Sequence, residues 1–414
     1  MKQRVILLVI DSLGVGCMED VERDRPQDRG ANTFYHILDQ AETIAIPNLE
    51  WLGVNRIVNH PRFATPPEVR AAYGRMKLAH FGADSYAGHQ EIMGTRPQKP
   101  FIAPFKSVIH RVRTALEAGG YQVELPDPAR PYLVVNGGVV VADNIETDYG
   151  QIYNVTAPLD RIPFEEVLRI GRLVRANVAV NRVIALGGAQ VAPERILASI
   201  EERSDGLIGV NCPKSGVYQV GYQCRHLGHG VDPARQVASI LTAAGFPVTL
   251  IGKMQDVIEC VGAHKVPAVP TGLVMETMLQ EMGRVDEGLI AATVQETDLA
   301  GHAQNVGRYA AKIMEVDRAL GDILARMTET DLLLLTADHG NDPTIGHSQH
   351  TREQTLLLAY GKNLSGMALG LRETLSDIAA TIAEYFGVAP PENGTGFYRA
   401  MKKWSVSQPR KECC

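Results

Sequence analysis

The feature that most constrains this chain is a set of short, unbroken apolar runs, several of them followed closely by an acid or a histidine. The first is 5–10 (VILLVI), and others stand at 247–251 (PVTLI), 289–294 (LIAATV), 331–336 (DLLLLT) and 355–360 (TLLLAY). A run with no polar face cannot lie on a half-wet sheet, so each reads as a strand buried on both faces. Helix-period segments lie between several of them. From 310 to 327, Ile313, Val316, Leu320, Ile323, Leu324 and Met327 recur at three- and four-residue spacing. After Ser376, an expected N-cap, Ile378, Ile382 and Phe386 share one face. Strands alternating with helices predict an α/β fold: a mainly parallel sheet with helices on both faces.

At 414 residues the chain exceeds one ordinary domain. Its middle reads differently from its ends. Residues 132–141 and 183–185 look like strands, 164–178 like an amphipathic helix, and few side chains there suit chemistry. A smaller α+β domain inserted over 99–225 is expected, with 1–98 and 226–414 forming the core. The composition, 45% hydrophobic and 21% charged with a net charge of −6, is that of a soluble globular protein. Its Lys and Arg residues are dispersed, which gives no reason to expect a nucleic-acid or anionic-membrane partner. No run approaches the 18 or so apolar residues of a membrane span. The six cysteines show no C-x-x-C spacing. That pattern predicts reduced thiols in a cytoplasmic protein. Cys413 and Cys414, after the polar stretch 402–412, read as a loose tail.

In open α/β sheets, ligands bind beyond the carboxyl ends of the strands. Asp11 follows the first run, Asp298 and His302 follow LIAATVQET, and Asp338 and His339 follow DLLLLTA. If those strands are parallel neighbours, all five side chains meet at one sheet edge. The segment from Asp338 to Glu353 also offers Asp342, His347 and His350. Mixed Asp and His ligands without cysteine suit Mn²⁺ or Zn²⁺, with Fe²⁺ a further option. The number of donors exceeds what one ion needs and fits two ions clamping a phosphoryl group. Ser85, expected in a Gly-bounded loop within 82–94, adds a hydroxyl that a nearby ion would activate as a nucleophile. Singly, each residue has a plainer reading as a turn, a cap or a surface histidine; their co-occurrence makes the case. Asp342 and His347 are explained by the turn Asn341-Asp342-Pro343.

The segments Val9-Ile-Asp-Ser-Leu-Gly-Val-Gly16, Gly88-His-Gln-Glu-Ile-Met-Gly94, Gly252-Lys253, Asp338-His-Gly-Asn-Asp-Pro-Thr344 and His350-Thr-Arg-Glu353 resemble those of phosphopentomutases. These enzymes of the alkaline phosphatase superfamily interconvert ribose 1-phosphate and ribose 5-phosphate. The resemblance implies an alkaline-phosphatase-like core with a cap inserted after the nucleophile loop. It also implies two divalent ions, Mn²⁺ foremost, one held by Asp11, Asp338 and His339 and the other by Asp298, His302 and His350. Ser85 matches the family's phosphorylated threonine. Lys253 matches a family lysine near the active site and is expected to hold phosphate, and Arg225 is expected to contact the substrate as well. The departures are Ser85 for Thr, Gln90 for Trp, and an Asp298–His302 spacing one residue shorter than usual. In the cap, a substrate-contacting Asp falls on Gly150, and an Arg-rich stretch is thinned to Arg225. These departures place the chain in a phosphopentomutase-like paralogue group sharing the run 88–97.

The expected function is a metal-dependent phosphomutase acting on a phosphorylated pentose or related small sugar through a phosphoserine. The alternative is a phosphoester hydrolase using the same two-metal site. No macromolecular partner is implied, and the oligomeric state is left open.

Overall fold

The strand Gln3–Ile10 shows why its sequence is apolar throughout. Ile6, Leu8 and Ile10 belong to one core, while Val5, Leu7 and Val9 belong to another on the opposite face of the sheet. The computed structural model describes residues 3–146 and 149–403. It divides into two compact units, residues 1–97 with 232–414, and residues 98–231. The sequence expectation about Cys413 and Cys414 lies outside the described residues.

In the larger unit, nine strands among the described residues form one sheet. The order runs His264–Val266, Val248–Gly252, Glu287–Val294, Gln3–Ile10, Leu332–Thr336, Glu353–Tyr360, Ala72–Met76, Ala368–Arg372, with Gly14–Cys17 also pairing to Glu353–Tyr360. The first five are mutually parallel. Glu353–Tyr360 is antiparallel to its neighbours on both sides. The helices Thr33–Gln40, Thr271–Arg284 and Val306–Arg326 cover one face; Val237–Ala243 and Asp377–Phe386 cover the other. This is the expected α/β core. All five apolar runs read from sequence lie on strands of this sheet, four of them parallel neighbours and the fifth the antiparallel Glu353–Tyr360, and the stripe on Val306–Arg326 buries Ile313, Val316, Leu320 and Ile323. Ser376 does precede a helix, but its hydroxyl donates to Glu91 O at 2.9 Å rather than capping its own first turn.

The smaller unit is α+β. Its six-stranded sheet runs Gln223–Gly228, Arg182–Gly188, Ile152–Pro158, Val139–Asp143, Leu133–Val135, Val123–Glu124. Only the pair Ile152–Pro158 and Arg182–Gly188 is parallel, joined through the helix Phe164–Ala176. The single strand expected over 132–141 is a hairpin of Leu133–Val135 and Val139–Asp143. It turns at Asn136 and Gly137, both at positive φ (49° and 70°). Asn-Gly suits the left-handed pair of a tight hairpin turn, and the apolar residues on both sides hid the break.

In this unit the buried Asp143 carboxyl accepts hydrogen bonds from Phe105 N and Ile208 N at 2.8 and 3.2 Å. Burial pushes its pKa up to about 6 against those two bonds. Among the described residues no helix is long and apolar enough to cross a membrane. Cys17, Cys212 and Cys260 are free thiols.

Candidate active site

Parallel neighbours place their carboxyl ends together, and three of them deliver acids. Asp11 follows Gln3–Ile10, Asp298 sits on the helix Glu296–His302 just past Glu287–Val294, and Asp338 and His339 follow Leu332–Thr336. Lys253 starts the short helix after Val248–Gly252. His350 reaches the same edge for a different reason: it precedes Glu353–Tyr360, whose antiparallel course puts its amino end there. Asp298 and His302 are four apart on one helix, which puts both on one face.

The side chains gather in two groups, Asp11 with Asp338 and His339, and Asp298 with His302 and His350. In each, one donor atom per residue lies within 4.8 Å of the others. In the first group, His339 Nε2 is 3.5 Å from Asp11 Oδ1 and 3.3 Å from Asp338 Oδ2. In the second, His302 Nε2 and His350 Nε2 each lie 3.3 Å from an Asp298 oxygen. The stacked rings of His339 and His350, with centroids 4.0 Å apart, link the groups.

Ser85 is the first residue of the helix Ser85–Ile92, not a loop residue as the flanking glycines suggested. Asp84 caps that helix by accepting from Ala87 N at 2.9 Å. Ser85 Oγ–H donates to Asp338 Oδ2 at 2.6 Å. The close approach needs Gly88: a Cβ there would stand 2.6 Å from Asp338 O. Ser12 Oγ lies 2.8 Å from Tyr309 OH, and Ser12 N donates to Asp338 Oδ1 at 3.0 Å. Holding Ser12 at φ 64° is a backbone strain beside Asp11 of the kind that clusters at functional sites.

The histidine tautomers follow from their partners. Nδ1 of His302, His339 and His350 lies 2.6, 2.9 and 2.8 Å from the carbonyls of Ser348, Gly340 and Ala83. A carbonyl only accepts, so each Nδ1 carries the hydrogen, and a neutral ring then presents a bare Nε2 to the centre. His302 Nε2 and His350 Nε2 face each other at 3.0 Å. Two lone pairs at that distance repel unless a proton or a cation lies between them.

The first group tells the same story. Asp11 Oδ1 and His339 Nε2 are buried and make no hydrogen bond. Burial pushes His339 down to about 3, with His350 and Lys253 adding to the effect against Asp338 and Asp298. Burial and the neighbouring Asp338 hold Asp11 well above the usual carboxylate range. Burial also presses on Asp298 and Asp338, but their histidine neighbours outweigh it and hold both well below that range. The Lys253 ammonium lies 2.6 Å from Asp11 Oδ2 and 4.0 Å from Asp298 Oδ2. Burial alone would lower its pKa; Asp11, Asp298 and Asp338 outweigh burial and raise it. Bare imidazole nitrogens beside crowded carboxylates, with hydrogen-bond capacity unspent, fit a divalent cation in each group.

Several residues at the site were not identified from sequence. His89 places Nδ1 3.1 Å from Asp338 Oδ2, and Asn341 Nδ2 donates to Asp298 Oδ1 at 2.9 Å. Both stand inside the quoted motifs, which was the one signal available for them. Gln90 is buried, donating to Val257 O at 2.8 Å and accepting from Gln236 Nε2 at 2.7 Å. Asp342 takes Thr344 N, Asn32 N and His36 Nδ1. His347 faces the buried Asp28 at 3.2 Å. Arg225 stands on the strand Gln223–Gly228 of the smaller unit, opposite Ala185.

Residues 3–390 match the model of the metalloenzyme superfamily. The chain is 31% identical to a phosphopentomutase of Caldanaerobacter subterraneus subsp. tengcongensis, covering 97% of this chain and 98% of that one. It is 31% identical to a phosphopentomutase of Deinococcus radiodurans, covering 96% and 100%. A phosphoglycerate mutase of Leishmania mexicana superposes at 13% identity and a TM-score of 0.48, covering 96% of this chain and 97% of that one.

Proposed function

Because this chain belongs to the metalloenzyme superfamily and, within it, to the phosphopentomutase family, we propose that it moves a phosphoryl group between two positions of a phosphorylated pentose or related small sugar through Ser85. Family membership makes it a metal-binding phosphomutase, an isomerase of the intramolecular phosphotransferase kind, with the alkaline-phosphatase-like α/β core. The observation that carries the finer reading is the 2.6 Å contact of Ser85 Oγ with Asp338 Oδ2, a member of the first acid–histidine group.

In this reading Asp11, Asp338 and His339 hold one divalent ion, and Asp298, His302 and His350 hold the other, with Mn²⁺ the proposed metal. Bound there, the ions supply positive charge to phosphoryl oxygens and lower the pKa of a coordinated hydroxyl. The chain's own residues do the rest. Asp338 accepts the Ser85 hydroxyl proton's hydrogen bond and fixes the direction of Oγ. The Ser85–Ile92 helix presents its amino end to a phosphoryl group on Ser85. Lys253 and Arg225 are the proposed contacts to the substrate's phosphate.

The cycle starts with phosphorylated Ser85. The substrate's free hydroxyl oxygen bonds to phosphorus as the bond from Ser85 Oγ breaks, giving a sugar bisphosphate and free serine. The bisphosphate rebinds in the opposite sense and returns its other phosphoryl group to Ser85. The test is a panel of sugar monophosphates with Mn²⁺ and catalytic bisphosphate, read out as positional isomers, with intact mass of the enzyme measured alongside. Isomer formation and a phosphoryl adduct that maps to Ser85 are expected. Stoichiometric release of free phosphate without an isomer would instead identify a phosphoester hydrolase.

A further inference from the structure

Arg352 lies outside both acid–histidine groups, yet it is buried and directed at the segment that leads into Ser85. Its guanidinium donates to the carbonyls of Leu78, His80 and Gly82 at 3.1, 2.8 and 2.5 Å. The remaining donors go to Asp20 at 2.8 to 3.0 Å. All five N–H groups are thereby used, which a planar guanidinium can do and an ammonium with three donors cannot. Residues 78–84 belong to no strand or helix; the last sheet-type bond before them is from Lys77 N to Arg372 O at 2.8 Å. The opposite poles of the same segment are held from the other side. Glu91, on the Ser85 helix, accepts from Ala79 N and His80 N, both at 3.1 Å. A fixed cation thus takes the carbonyls and a fixed anion the amides. One residue further on, His350 Nδ1 donates to Ala83 O.

We infer that Arg352 is a positioning residue for phosphoryl transfer: it sets the path of residues 78–82, and through it the place of Ser85 Oγ against Asp338. The inference rests on the reading of Ser85 as the phosphoryl carrier. It predicts an effect on Ser85 chemistry larger than any effect on metal loading, because the Arg352 guanidinium donates to no residue of either group.

The test compares full-length wild type, Arg352→Gln and Arg352→Lys, loaded with Mn²⁺ and mixed with a pentose 1,5-bisphosphate. Phosphorylation of Ser85 is followed by intact mass, and bound metal is measured on the same samples. Arg352→Gln is expected to slow phosphoryl uptake about 10- to 100-fold at unchanged metal content, the range expected when a reacting group is displaced by about an ångström. Arg352→Lys should regain part of that rate. Uptake by Arg352→Gln as fast as wild type overturns the inference. So does a loss that disappears once the rate is expressed per metal-loaded, folded molecule, since that is a structural role alone. A wild type that never takes up phosphoryl overturns the proposed function instead. Should Arg352→Gln fail to fold, Asp20→Asn keeps the arginine but loosens its anchor. It is expected to slow uptake several-fold, and an unchanged rate there overturns the inference as well.

Discussion

Replacing Lys253 by methionine should destabilise the protein by an amount that depends on metal. Without metal, the Lys253 ammonium is the nearest cation to Asp11, at 2.6 Å, and it also approaches Asp298. Coulomb attraction at that distance is about 6 kcal/mol for an effective dielectric of 20, and desolvation of the ammonium offsets part of it. Removing one partner from such a pair leaves a buried carboxylate without compensation and costs roughly 3–5 kcal/mol. The unit concerned has about 280 residues, so its unfolding entropy is about 0.6 kcal/mol per kelvin and the loss corresponds to about 5–8 °C in Tm. With two divalent ions bound, four positive charges face Asp11, Asp298 and Asp338, and the lysine is no longer needed for neutrality. The loss should then shrink by at least about 2 kcal/mol. Thermal unfolding of wild type and Lys253→Met, followed by circular dichroism in chelator and again in excess Mn²⁺, measures both. Equal Tm losses in the two conditions would refute the reasoning, because the lysine would then be stabilising something other than the uncompensated carboxylates.

Ser85→Ala should bind metal like wild type but lose phosphoryl uptake and isomerisation by at least about a thousandfold; Ser85→Thr should keep both, as intact mass and an isomer assay would report. His302→Ala should weaken one metal site by more than about 100-fold, since even outer partners of a ligand typically cost 10- to 100-fold. Metal titration should then find one tight ion per chain instead of two. The His302 pKa is raised, first by its hydrogen bond to Asp298. In the metal-free protein the stability from that pair is present below the ordinary histidine range, about 6.5, and is lost as pH rises through the raised value. Ligation needs the neutral ring, so metal affinity should climb with pH over the same window and then level off. Affinity that does not change from below to above that window would rule out His302 as a ligand.

What could be read from the sequence divides along physical lines. The central strands were legible because burial on both faces removes polar residues altogether, as in Val5–Ile10. The acids were legible because strand ends are fixed by those runs. The hairpin at Asn136–Gly137 was readable in principle, from the dipeptide itself. The orienting partners were not. Nδ1 of His302, His339 and His350 all donate to backbone carbonyls, and a carbonyl belongs to every residue, so no side-chain identity announces it. The Gln90–Gln236 contact is equally hidden, joining residues 146 apart. From sequence, Gln90 was only a departure from tryptophan.

The stretch from His350 to Glu353 shows how strand direction constrains four consecutive residues at once. Because Glu353–Tyr360 runs antiparallel to its neighbour Leu332–Thr336, its amino end enters at the sheet edge where the parallel strands finish. Each residue of the approach can therefore reach a different segment there. His350 joins Asp298 and His302. Thr351 pairs by backbone with Gly340 and accepts from Asp342 N at 3.2 Å. Arg352 takes the carbonyls ahead of Ser85. Glu353 is fully buried and accepts from Gly16 N, Thr33 N and the hydroxyls of Thr33 and Thr351. Burial still pushes its pKa up to about 7, so it is held by geometry more than by charge. A one-residue slip of this strand would turn Glu353 to the opposite face and shift the approach His350–Arg352 along with it. Register, more than the identity of any single residue, is therefore what keeps the His350 ligand and the Ser85 segment in one place.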